Sequence, residues 1–187
     1  MDAIKLEDLP HYTYEDYKNW EGKWEVINGI AYAMSPSPIG KHQNISGNIH
    51  FELKSKLKNC KRCKAFMPVD LVLDNNMILQ PDNLIVCDVD VDFIKLKKIP
   101  ALIVEILSPS TAKKDKTTKY KIYESAKVKY YIIIEPQSLE AEVYELINDK
   151  YILKDKFQKE GVTQIELNPD SETKCNFEID FREIFEL

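Results

Sequence analysis

Glu105 is a lone carboxylate inside an apolar run, Ala101-Leu102-Ile103-Val104-Glu105-Ile106-Leu107, set between Pro100 and Ser108-Pro109-Ser110-Thr111. An ionised acid in a buried strand is costly unless a cation or hydrogen-bond donors compensate it, so this residue demands an explanation. The run reads as an interior strand covered on both faces, and its C-terminal end is where open α/β sheets place their sites. A second acid, Asp82, follows Gln80-Pro81 and precedes another apolar run, Leu84-Ile85-Val86-Cys87. Pro81 cannot donate a ladder hydrogen bond, so the strand is expected to break beside Asp82 and leave room for a ligand. Two carboxylates on neighbouring strands make a hard, oxygen-rich site suited to Mg²⁺ or Mn²⁺, and a metal held there can activate water and neutralise charge on a phosphodiester. Singly, Asp82 also reads as a turn residue and Glu105 as an internal salt-bridge partner; as a pair beside a basic helix they read as metal ligands.

The elements that would position these acids are set by local signals. Thr13 with Asp16 three residues on marks a helix start, running to about Trp20. Trp24 to Ile27 and Ile30 to Met34 flank Asn28-Gly29, a strong hairpin signal that puts Glu25 on a strand next to a tight turn. After the break Ser35-Pro36-Ser37-Pro38, Ser37 can cap and Pro38 open a helix whose apolar stripe, Ile45, Ile49, Leu53 and Leu57, extends to about Asn59. Residues 65–73 read as a strand, and Met77 to Cys87 as one or two strands interrupted at Pro81. Beyond the strand of Glu105, Ser110 or Thr111 caps a helix to about Ala126, and Lys129 to Glu135 is a further strand. Antiparallel strands are expected at about 139–146, 150–154 and 162–167, with Asp180 capping a last short helix. Strand, helix, strand in the middle with hairpins around it predicts a mixed α/β sheet in a single domain over residues 1–187.

Composition limits the partners. The formal net charge is -5, yet it is segregated. Residues 54–64 and 113–129 together hold 13 of the 26 basic residues against two acids, or +11, which leaves the rest of the chain at -16. Such a division can focus potential toward a phosphate backbone even on an acidic protein, although solvated helix faces would carry the same charges. For a chain that binds nucleic acid, the expected phosphate contact is the helix from Lys113 to Lys129, with Lys113, Lys114, Lys116 and Lys121, and residues 54–64 are a second candidate. No apolar run is long enough to cross a bilayer, and Met1-Asp2-Ala3-Ile4-Lys5 has neither the basic nor the apolar part of a secretory signal. The expected compartment is the cytoplasm, and the four cysteines are expected to be reduced thiols. Cys60-Lys61-Arg62-Cys63 has zinc or redox spacing, but Cys87 and Cys175 stand apart from it and from each other. His42 reads as a half-exposed, hydrogen-bonded residue and not as a ligand.

Several segments in order carry a resemblance: Trp24-Glu25-Val26-Ile27-Asn28-Gly29, Ser35-Pro36 with Lys41-His42-Gln43, Pro68-Val69-Asp70, Gln80-Pro81-Asp82, Val104 to Thr111, then Asp115, Lys119 and Tyr123. From about Trp24 to Pro136 the chain resembles the Uma-type putative restriction endonuclease family, within the PD-(D/E)XK nuclease superfamily. The resemblance implies a restriction-endonuclease-like fold and a metal-dependent endonuclease acting on DNA as a homodimer. Asp82 would be the acid of the PD element and Glu105 the first residue of the (D/E)XK element, both metal ligands, with the carbonyl of Ile106 adding a contact. Glu25 would match a first acidic element, as a distal ligand or an orienter of water. Leu107 occupies the position where the superfamily pattern has lysine, and the resemblance moves that role to Lys119 on the next helix. Without the resemblance, Asp115 and Lys119 would read as a surface ion pair and Tyr123 as a packing residue with a bonded hydroxyl. Leu107 also fits a catalytically inactive relative that binds nucleic acid or a protein partner through the same fold.

Overall fold

The computed structural model describes residues 9–34, 40–167 and 175–186. Alternating and continuous apolar runs pair into a six-stranded mixed sheet. Its strands are β3 (Cys63–Phe66), β6 (Asn83–Cys87), β7 (Leu102–Ile106), β8 (Tyr130–Glu135), β9 (Glu140–Ile147) and β10 (Lys150–Gln158), in the order β10-β9-β8-β7-β6-β3. Only β7 and β8 run parallel among these pairs; they are joined by a helical crossover, the connection that parallel neighbours require. β6 and β7 are antiparallel, with Asn83 opposite Val104, so the acid just before β6 and the acid within β7 fall side by side.

A smaller sheet contains β1 (Trp24–Ile27), β2 (Ile30–Ala33), β4 (Leu71–Asp74) and β5 (Met77–Leu79), in the order β2-β1-β5-β4. The residues between β5 and β6 cross from one sheet to the other, which brings Gln80 and Asp82 to their junction. Helix α1 (Tyr14–Tyr17) is shorter than its predicted reach to Trp20, and Asp16 accepts from both the Thr13 N–H and hydroxyl at 2.8 Å. The expected strand over 65–73 is two strands in different sheets, because the chain turns at Pro68.

Apolar layers cover both faces of the large sheet. On one face α2 (Gly40–Lys56) packs through Ile45, Ile49 and Leu53, extended by a 3₁₀ turn to Asn59, together with the hairpin β11 (Val162–Leu167) and β12 (Cys175–Asp180). Asp180 caps the final helix α5 (Phe181–Phe185) by accepting from the Arg182 N–H, as its position predicts. The expected cap and first turn at Ser37 and Pro38 lie outside the described residues. On the opposite face the crossover contributes Tyr123 and Val128. That crossover is not the continuous helix expected from Thr111 to Ala126. It consists of α3 (Ala112–Lys114), a π-helical turn (Asp115–Lys119) and α4 (Tyr120–Ser125).

The cysteines also depart from expectation. Cys60 pairs with Cys175 and Cys63 with Cys87 as disulfides. Cys63 and Cys87 are direct cross-strand partners in the β3/β6 register, and Cys175 opens β12 beside the end of the α2 extension. Among the described residues no helix is long and apolar enough to cross a membrane.

The β1–β2 turn has φ +51° at Asn28 and +79° at Gly29, the left-handed pair that a two-residue hairpin needs. A Cβ on Gly29 would lie 2.7 Å from His11 Nδ1. Gly29→Ala is expected to lower stability by about 1–3 kcal/mol, read as a lower urea midpoint with an unchanged m value.

Candidate active site

Four acids from separate parts of the chain face one crevice at the junction of the two sheets. Glu25, fully buried on β1, accepts from the Gln80 N–H at 3.2 Å and is held by Lys114 Nζ at 2.6 Å and Lys119 Nζ at 2.8 Å. Glu105, buried on β7, receives Lys119 Nζ at 2.9 Å and the Tyr123 hydroxyl at 2.8 Å, both on Oε1. Asp115 Oδ1 lies 3.5 Å from the same ammonium and has no hydrogen-bond partner, although it is buried. Asp82, part-exposed at the mouth, accepts the Ile106 N–H at 2.8 Å on Oδ2. Thus Glu105 Oε2 and Asp82 Oδ1 are left without donors among the described residues.

The π-helical turn explains how Asp115 and Lys119 come inside. Its wider coil turns both residues toward the sheet, so each is about 2 % exposed, whereas a surface ion pair was the alternative expectation. Tyr131, on β8 beneath the turn, donates its hydroxyl to the Asp115 carbonyl at 3.1 Å.

Charge is not balanced here. Glu25, Asp82, Glu105 and Asp115 bring four carboxylates; Lys114 and Lys119 bring two ammonium groups, which leaves a formal excess of two negative charges. Burial, reinforced by Asp115, Asp82 and Glu25, pushes the Glu105 carboxyl well above the usual range, more than Lys119 draws it down. Burial likewise raises Asp115. Burial opposes the charge on Lys119, but Glu105, Glu25 and Asp115 outweigh it and hold the ammonium well above its usual range. Glu25 goes the other way: two lysines overcome its burial and lower it. A divalent cation would supply the missing charge. Among the described residues no three His, Cys, Asp or Glu side chains already surround such an ion. The donor set fits nonetheless, since two carboxylates with free oxygens and a backbone carbonyl are what Mg²⁺ takes when water and substrate phosphate complete its shell.

Two contacts were not foreseen. His42, on the first turn of α2, donates from Nε2 to the Ile106 carbonyl at 3.1 Å, which fixes the proton on that nitrogen, and lies 3.4 Å from Asp82 Oδ2. It therefore touches two of the three groups expected to bind metal, and its Nδ1 is buried without a partner among the described residues; its hydrogen-bonded character was readable, its partners 40 and 64 positions away were not. Lys114, expected on the DNA-facing side, turns inward onto Glu25 because that buried carboxylate needs a second cation. Lys113, Lys116 and Lys121 remain exposed.

The sequence profile of Uma2, described as "Putative restriction endonuclease", matches residues 11–174. The chain belongs to this family. A crystal structure of a putative nuclease belonging to DUF820 from Anabaena variabilis ATCC 29413 superposes with a TM-score of 0.72 at 17% identity, over 92% of this chain and 97% of that one. That likeness establishes the nuclease fold. The uncharacterized protein slr1290 of Synechocystis is 27% identical over 149 residues, covering 75% of this chain and 77% of its own.

Lys119→Met is expected to destabilise this Uma2 protein by about 3–5 kcal/mol, since three carboxylates lose their shared cation. Adding Glu105→Gln should recover part of that loss, and denaturant melts of the single and double variants measure the coupling.

Proposed function

We propose that this Uma2 protein is a Mg²⁺- or Mn²⁺-dependent endonuclease that hydrolyses DNA phosphodiester bonds. The observation that supports the reading most strongly is the formal twofold negative excess among four clustered carboxylates, three of them buried, with Asp82 Oδ1 and Glu105 Oε2 accepting from no donor among the described residues. In this reading Asp82, Glu105 and the Ile106 carbonyl hold the cation, which when bound supplies Lewis acidity and charge neutralisation at the scissile phosphate.

The chain's own groups do the positioning. Lys119 ties Glu105 to Glu25 and Tyr123 fixes Glu105 Oε1, so the free Oε2 keeps one direction. As the buried cation, Lys119 takes the electrostatic role that Leu107 cannot, stabilising negative charge that builds on the attacked phosphate. Glu25 anchors Lys119 and Lys114 from the small sheet and is an orienting group. The exposed Lys113, Lys116 and Lys121 on the crossover provide contacts to the DNA backbone, which position the duplex without reading sequence. Cutting both strands is simplest for a homodimer that presents two such crevices.

The test is cleavage of supercoiled plasmid and single-stranded DNA with Mg²⁺ or Mn²⁺. Asp82→Ala and Glu105→Gln should each reduce the rate about 10³-fold, a loss of about 4 kcal/mol of transition-state stabilisation. Chelator should abolish cutting. Wild-type protein that retains DNA in a salt-sensitive manner but never cuts it would instead identify the inactive, binding form that Leu107 allows. Replacing Lys113, Lys116 and Lys121 by Gln should flatten the slope of log affinity against log salt by up to about 3.

A further inference from the structure

We propose that the four cysteines form a second metal centre, a closed tetrathiolate Zn²⁺ site unrelated to the acidic crevice, which the reduced chain fills in place of its two disulfides. All four cysteines of the sequence meet at one corner of the fold. Cys60 closes the 3₁₀ turn, its N–H donating to the Leu57 carbonyl at 2.8 Å, and the Cys63 N–H donates to the Cys60 carbonyl at 3.0 Å. This compact CxxC turn is the local geometry with which two cysteines grip one zinc. Cys87 lies directly across from Cys63 with Cα atoms 3.8 Å apart, and Cys175 is 5.7 Å from Cys60 by the same measure. Each disulfide uses one member of the CxxC turn, so the turn links the two pairs.

The four side chains share one layer of the molecule. Cys63, Cys87 and Cys175 are buried within the apolar cluster on the α2 face of the large sheet, and Cys60 packs against it. Paired as disulfides, their sulfurs are committed to one another. Reduction changes that: a dithiol reductant delivers two electrons and two protons to each disulfide, leaving four thiols and its own cyclic disulfide. Binding then releases four protons as four thiolates take one Zn²⁺. Soft sulfur donors in fourfold number select zinc, and a dry, closed surround is the mark of a structural site.

The surroundings suit the resulting double negative charge. Lys61 and Arg62 lie inside the CxxC turn and Lys58 and Lys64 flank it, and nearby cations favour thiolate over thiol. Arg62 also grips Asp88 through two bonds of 2.6 Å, and the Asp88 N–H donates to the Arg62 carbonyl, which holds the end of β6, and with it Cys87, against the turn. The first basic segment thereby has a role apart from DNA.

The test uses the full chain purified in a dithiol reductant from zinc-containing medium, with metal measured by mass spectrometry. About one zinc per chain is expected, with Cys87→Ser and Cys175→Ser losing it and Asp82→Ala keeping it. Cobalt substitution should give the intense sulfur-to-metal charge-transfer absorption and visible bands of a tetrahedral thiolate site. Wild-type protein without zinc, whether its thiols alkylate freely or stay oxidised, overturns the proposal; so do iron in place of zinc, zinc retained by both serine variants, or zinc lost on Asp82→Ala. Should a serine variant fail to fold, the metal content and cobalt spectrum of the wild type decide by themselves.

Discussion

One ammonium group ties the two sheets and the crossover together. Lys119 Nζ is shared by Glu25 of the small sheet, Glu105 of the large sheet and Asp115 of the crossover. Each of those carboxylates is buried, and none would tolerate its neighbours' charge without a cation among them. The two sheets, the π-helical turn and the register of β7 against β8 all serve to bring these three acids within reach of that single lysine. Packing supplies most of the fold's stability, but the charge arrangement dictates where the elements may sit relative to one another.

Much of this was legible in the chain. An acid embedded in an apolar strand announced that a buried countercharge must exist, and Pro81 announced a break beside the second acid. Asn28-Gly29 and Asp180 prescribed their turn and cap through local chemistry alone. What escaped were features decided by distant partners. Lys114 looks like any solvent-facing lysine until Glu25, 89 positions earlier, claims it. The cysteine pairs span 24 and 115 positions, and only the β3/β6 register and the placement of β12 unite them. Splitting residues 65–73 between two sheets likewise depends on which neighbours are available, because apolar content fits either.

Charge is sorted in depth as well as along the chain. The acids that matter face inward and exceed their partnering lysines, whereas Lys113, Lys116 and Lys121 on the same crossover face solvent. A single short connection thus presents cations outward and a cation-deficient crevice inward. This division lets a protein that is acidic overall carry an exposed basic face beside its inward-facing acids.

The π-helical turn carries one residue more than an α-helix would need to cover the same rise. Removing one of the three residues between Asp115 and Lys119 would let the crossover relax into ordinary α geometry and swing the helix beyond it by about 100°. The buried lysine and Tyr123 could not then both reach Glu105. This stretch is therefore constrained in length as strictly as in composition, so that an insertion or deletion there would disarm the crevice while sparing every one of its side chains.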